Sequence, residues 1–202
     1  MKIPVIALFI IFYACSCVIP ESNHVEPQYH LLTKTLSDEN QTLAMPAVSF
    51  HVREVNVPPY LDDNRLVNRP GNSSIKYLEN HRWGEPLGEG ISRVVGLNLS
   101  SILNTLDYSS YPQRLKAGCH YEVAVSVQRF EKAENEQVKL SAIIEIFHRN
   151  RIVRQVQFYK SISIKGRNIS DEIDALTFAL SSASFQIAKT IYSLPMSLAL
   201  RI

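Results

Sequence analysis

Apolar and polar residues change their spacing several times along this chain, and each change marks an element. From Ala47 to Val57 (AVSFHVREVNV), Val48, Phe50 and Val52 alternate with Ser49 and His51. That is the two-residue period of a half-buried strand, and it puts His51 on the solvated face. Val55 and Val57 follow the charged pair Arg53-Glu54, and Pro58-Pro59 ends the run because proline cannot donate to a strand ladder. From Gly88 to Leu106 the period turns helical, with Ile91, Val95, Leu99, Ile102 and Leu106 on one face. Gly90 and Gly96 weaken this helix by roughly 1 kcal/mol each relative to Ala, but they let a neighbouring element come close. Three alternating runs follow. Tyr121–Phe130 shows Tyr121, Val123, Val125 and Val127 on one face; Gln137–Phe147 shows Val138, Leu140, Ala142, Ile144 and Ile146; Ile152–Ile164 carries Ile152, Val156, Phe158, Ile162 and Ile164. Short polar connections between them predict an antiparallel meander. The last helix is predicted to start at an N-cap Ser170, followed by Asp171 and Glu172 at the positive end of its dipole. Its face is Ile173, Leu176, Leu180, Ala183, Ile187 and Ile191; Lys189 lies in its last turn and Pro195 stops it.

The rest of the chain gives weaker patterns. Tyr29 to Leu32 is a short apolar island that reads as an opening strand, and Leu36 to Met45 is a polar loop. Pro58 to Leu87 reads as a long connection with a short strand, Ser74 to Tyr77, after the turn at Pro70-Gly71-Asn72. Its large apolar groups, among them the only tryptophan, Trp83, argue that side chains tie it down. The predicted fold class is α/β: a single compact domain of order ββαβββα. Its mixed, mostly antiparallel sheet carries two main helices. The domain spans residues 28–195, and the apolar tail 196–202 adds a strand or docks on the body.

Residues 1–17 are of a different kind. Met1-Lys2 is a short basic start, Ile3 to Ala14 is almost wholly apolar, and Tyr13-Ala-Cys-Ser-Cys leads into polar sequence. This is a signal peptide, with an apolar stretch too short to span a bilayer. An ordinary cleaved leader is one reading. A lipoprotein leader, lipidated at Cys15 or at Cys17, is the other, and it makes residues 18–27 a tether. Ala14 supplies the small residue before Cys15; Ser16 keeps Cys17 open. Only Cys119 remains in the body, so no internal disulfide framework exists, and its place before a strand reads as small and buried rather than reactive.

Composition changes the picture only by exclusion. The chain has 202 residues, 46% apolar and 20% charged, enough for one real core, and a formal charge of +2 with no basic run argues against nucleic acid. There is no CxxC, HExxH, phosphate loop or GxSxG elbow, and the six histidines are dispersed, so neither a metal nor a cofactor is expected. Asp62-Asp63 beside Arg65 reads as a turn with an ion pair rather than a catalytic pair. Of the four Asn-X-Ser/Thr matches, at Asn40, Asn72, Asn98 and Asn168, the one at Asn98 falls inside a predicted helix and is chance.

VPPYLDDNRLVNR at 57–69, followed by HRWGEPL at 81–87, resembles the ABC-type transport auxiliary lipoprotein family, proteins like paraquat-inducible protein C. That family has a V-P-x-Y-L-D segment, an arginine-valine stretch and a W-A-E-P-L motif in this order; Gly84 stands here where alanine is usual. Tyr29 and Leu31 match its opening segment, and Tyr121, Val123, Val125, Phe130 and Glu131 its Tyr-x-Val-x-Val strand. The resemblance implies a non-enzymatic lipoprotein that serves an ABC transporter and an MCE-domain protein. Such proteins move lipids or other hydrophobic molecules between inner and outer membranes, and they assemble as a homo-oligomeric ring. No aspartate follows Cys15 or Cys17, so the expected location is the periplasmic face of the outer membrane. Tyr60, Leu61, Asp62, Arg65, Trp83 and Glu85 are the candidates for partner binding or for supporting it. Trp83 serves equally as a core anchor. The alternatives are a periplasmic lipid carrier, or a lipid-processing hydrolase that uses Asp62, Asp63 or His120.

Overall fold

The computed structural model describes residues 25–36, 42–45, 47–114 and 118–194. The leader with Cys15 and Cys17, most of the tether, part of the 36–45 loop, Pro195 and the tail lie outside these residues. Eight strands and two helices occur among the described residues: β1 (Gln28–His30), β2 (Phe50–Val52), β3 (Arg65–Asn68), β4 (Lys76–Trp83), α1 (Leu87–Leu103), β5 (Tyr108–Ser110), β6 (Tyr121–Ala133), β7 (Gln137–His148), β8 (Arg151–Ser163) and α2 (Ile169–Tyr192).

All strands share one mixed sheet organised around β6. One edge of β6 carries β7 in antiparallel register from Glu122↔Phe147 to Ala133↔Gln137, and β8 continues the meander. Its other edge is divided. β2 lies parallel to its start (Phe50↔Tyr121), Asn56 bridges to Ser126, and β3 joins near its end (Asn68↔Lys132). β5 extends the sheet beyond β2; β4 and then β1 extend it beyond β3. The helices pack on each other, α2 against β7 and β8, α1 against β2 and β5.

The expected α/β domain with a mixed sheet and two helices is what the chain forms, and the meander and the apolar face of α2 fall where their periods place them. Five local expectations are corrected. The segment 58–87 contains a hairpin, β3–β4, rather than one short strand, and β5 adds a further strand. His51 is not solvated: β2 is an inner strand, His51 and Ser49 are both buried, and His51 Nδ1 bonds Ser109 Oγ at 2.8 Å. α1 stops at Leu103, because Asn104 turns left-handed with φ 52°, leaving Leu106 93% exposed instead of on the apolar face. Ile152 is 53% exposed: the register shifts between Ile146 and Phe147, so Ile152 pairs with Phe147 on the face away from the helix. Finally, the N-cap of α2 is Asn168, two residues before Ser170, and its N–H donates to Asp171 Oδ2 at 2.9 Å.

The expected close approach at a helical glycine is met at Gly96, where an added Cβ would sit 3.3 Å from both Ser110 Cβ and the Tyr108 ring. Asn98 is fully buried between the helices. It donates to Ser184 Oγ and accepts from the Thr35 backbone, so a glycan has no access there.

Candidate functional site

Pro58 opens a tight turn in which Leu61 and Asp62 donate backbone hydrogen bonds to its carbonyl at 2.8 and 3.2 Å. The turn lays Leu61 into the core and sends Tyr60 across to β6. There the Tyr60 hydroxyl donates to Glu131 Oε2 at 2.9 Å and approaches the Gln128 carbonyl at 3.2 Å. Burial, then the adjacent Glu131 charge, push the phenol up to about 12, so it remains a donor throughout the physiological range.

Glu131 is the centre of this arrangement. It is 1% exposed, yet it accepts from Arg129 Nε at 2.7 Å and from the Phe130 N–H at 2.9 Å, with Arg69 Nε 3.5 Å away. The Arg69 guanidinium also lies over the Tyr60 ring, 4.8 Å from its centroid. A buried carboxylate needs this many donors, because removing it from water costs several kcal/mol if uncompensated. In the sequence Glu131 stands out only as the end of the Tyr-x-Val-x-Val strand. A register shift between Val127 and Arg129 sets the phase in which Phe130 enters the core and Glu131 meets the turn.

The second half of the clamp is built on the hairpin. Asp63 accepts from the Arg65 backbone N–H and from its Nε and Nη2, at 2.8, 2.9 and 2.9 Å. These bonds hold the Asp63 carboxyl down at about 2. Arg65 Nη1 reaches Glu79 at 2.8 Å, and its guanidinium lies 4.3 Å over the Tyr77 ring. The turn and ion pair expected at Asp62-Asp63-Arg65 are therefore present, with Asp63 as the partner and Asp62 exposed. Asp62 borders a cleft of about 210 Å³ with Glu54, Glu89 and Tyr111.

Trp83 is a core residue, 7% exposed, and its N–H donates to the Asn64 carbonyl at 2.6 Å. Gly84 then donates to the His30 carbonyl at 2.8 Å, and a Cβ on Gly84 would meet Leu31 Cδ2 at 3.2 Å. Alanine, usual at this position in the family, would need Leu31 to yield by a few tenths of an ångström. Glu85 accepts from Arg93 Nε at 3.2 Å, while Arg93 Nη2 donates to the Leu32 carbonyl at 2.8 Å, tying α1 to the segment after β1. Of the six candidates, then, Tyr60, Leu61, Trp83, Arg65 and Glu85 hold the connection in place and Asp62 faces solvent.

Neither His120 nor Cys119 is set up as a reactive group. His120 Nδ1 contacts Ser49 Oγ at 2.6 Å and accepts from the Ser49 N–H at 3.0 Å, joining the starts of β2 and β6. Cys119 is half-buried rather than buried as expected, and desolvation still raises its thiol, which opposes thiolate reactivity.

The geometry sits inside a region that matches, over residues 29–191, the description "ABC-type transport auxiliary lipoprotein component". The chain belongs to that family. As an ABC-type transport auxiliary lipoprotein component it is similar to two crystal structures. One, titled only as an uncharacterized protein, is 20% identical, covers 83% of this chain and 99% of its own, and superposes with a TM-score of 0.70. The other, protein XCC0632 from Xanthomonas campestris, is 15% identical, covers 82% of this chain and 94% of its own, and has a TM-score of 0.68. Both likenesses support the fold of this auxiliary component. No curated protein matches the sequence.

Proposed function

We propose that this protein is a non-enzymatic adaptor held to the periplasmic face of the outer membrane by acyl chains on Cys15 or Cys17. There it receives the MCE-domain protein of the same ABC transport system, as a ring of copies, in moving lipids or other hydrophobic molecules between the two membranes. The observation that carries this reading is the family match over 29–191, supported by the basic start, the apolar run and the cysteines at positions 15 and 17 that precede it. Two or three acyl chains would anchor far more firmly than one. The clamp supports it as well: five of the six candidate side chains fix the 58–87 segment, and a rigidly held segment can present Asp62 to a partner without an ordering cost on docking.

Growth with a clickable fatty acid tests the anchor. The protein should take up the label, and replacing both Cys15 and Cys17 by serine should abolish it. Label that survives the double replacement would remove the anchor. Recovery of an MCE-domain protein from a detergent extract tests the partner. A hydrolytic reading is less favoured, since Asp63 is committed to Arg65 and His120 to Ser49.

A further inference from the structure

Two of the dispersed histidines meet at the outer end of the sheet. β1 pairs in parallel with β4, Gln28 opposite His81 and His30 opposite Trp83, so His30 and His81 are diagonal neighbours on one face. Their side chains come from positions 51 apart, and His30 Nε2 lies 3.2 Å from His81 Nδ1. The rings are tilted by 39° with centroids 5.4 Å apart. Both backbones are hydrogen-bonded: the His30 carbonyl accepts from the Gly84 N–H at 2.8 Å, and His81 lies inside β4.

We propose that His30 and His81 form a two-histidine chelate for a divalent late first-row transition cation such as zinc, which fastens β1 to β4. Two imidazole nitrogens bound at about 2.0–2.1 Å to a tetrahedral cation lie about 3.3 Å apart, close to the spacing already present here. Imidazole nitrogen suits zinc, nickel and copper rather than magnesium or calcium. A small rotation of each ring turns its lone pair from the other ring toward a shared cation. The hydrogen now between the two nitrogens moves, through water, to the other nitrogen of its own ring, so the neutral pair releases no net proton. Among the described residues no group of three His, Cys, Asp or Glu side chains converges. Water therefore completes the shell, reached from the solvent side because both histidines are only part-buried. β1 is three residues long and at the edge of the sheet, so a cross-link at this point adds most where the strand itself holds least.

The test is calorimetric titration of the full chain, purified in detergent without a histidine tag and stripped by chelator, with zinc chloride at neutral pH. One saturable site per chain is expected. Even changes behind a metal ligand cost about tenfold or more, so His30→Gln and His81→Gln should each weaken binding by at least that factor, and His148→Gln should not. Hydrogen exchange gives a second readout: zinc should slow the amides of β1 in the natural chain and leave them unchanged in the double variant. No saturable zinc binding, or binding and β1 protection that persist in the double variant, would overturn the site.

Discussion

Two buried carboxylates lie at the ends of the stability scale. Glu131 is satisfied by Arg129, Tyr60 and the Phe130 N–H, with Arg69 as an ion-pair partner. Replacing it with alanine strands two guanidinium groups, so Glu131→Ala should lose about 3–5 kcal/mol in urea unfolding, while Tyr60→Phe loses only a hydrogen bond to a charged group, about 1.5–3 kcal/mol. Glu172, in the first turn of α2 and 3% exposed, is the opposite case. The Asn68 amide donates to Glu172 Oε1 at 2.9 Å. Burial pushes the Glu172 carboxyl up to about 7, Lys132 opposing and Glu136 adding to the shift. Its folded value lies above its unfolded one, so the unfolded chain gives up this proton first, and stability present at low pH is lost as pH rises through 7. Between about pH 5.5 and 8.5 the loss should be about 2 kcal/mol. Glu172→Gln should flatten that dependence; a slope unchanged in the variant would contradict the assignment.

Element boundaries follow from single backbone choices as much as from periodicity. Asn104 ends α1 in the left-handed region, and its successor Thr105 donates to the Ser100 carbonyl at 3.0 Å. Asn104→Gly should be neutral or slightly stabilising, whereas Asn104→Ala should cost about 1 kcal/mol, checked by thermal unfolding of both. The meander and the face of α2 were legible because their periods are local and long. β3 was not, because Arg65-Leu66-Val67-Asn68 is too short to show a period and one of its two neighbours, β6, is distant in sequence. β4 was read only at its start, since KYLENHRW is polar on most of both faces and buries little besides Trp83. At the candidate site, the Asp63–Arg65 pair was readable from adjacency. The role of Glu131 was not, because its turn partner Tyr60 lies 71 positions away.

Across the whole molecule, stability should be graded outward from β6. Its long ladder to β7, and the divided edge shared by β2 and β3, predict the slowest amide exchange in β6 and β7 and the fastest in β1, measured on the native chain. A slow-exchanging β1 beside a fast-exchanging β6 would refute this order. The divided edge also matters during synthesis. A chain that leaves the ribosome N-terminus first makes β2 and β3 well before β6, and neither can find its seat in the sheet until Tyr121–Ala133 has emerged. β2 thus stays unpaired, and the β3–β4 hairpin undocked, while the polypeptide is still short. For the exported lipoprotein proposed above, that delay would keep the chain open for passage through a narrow channel, because its hub arrives late.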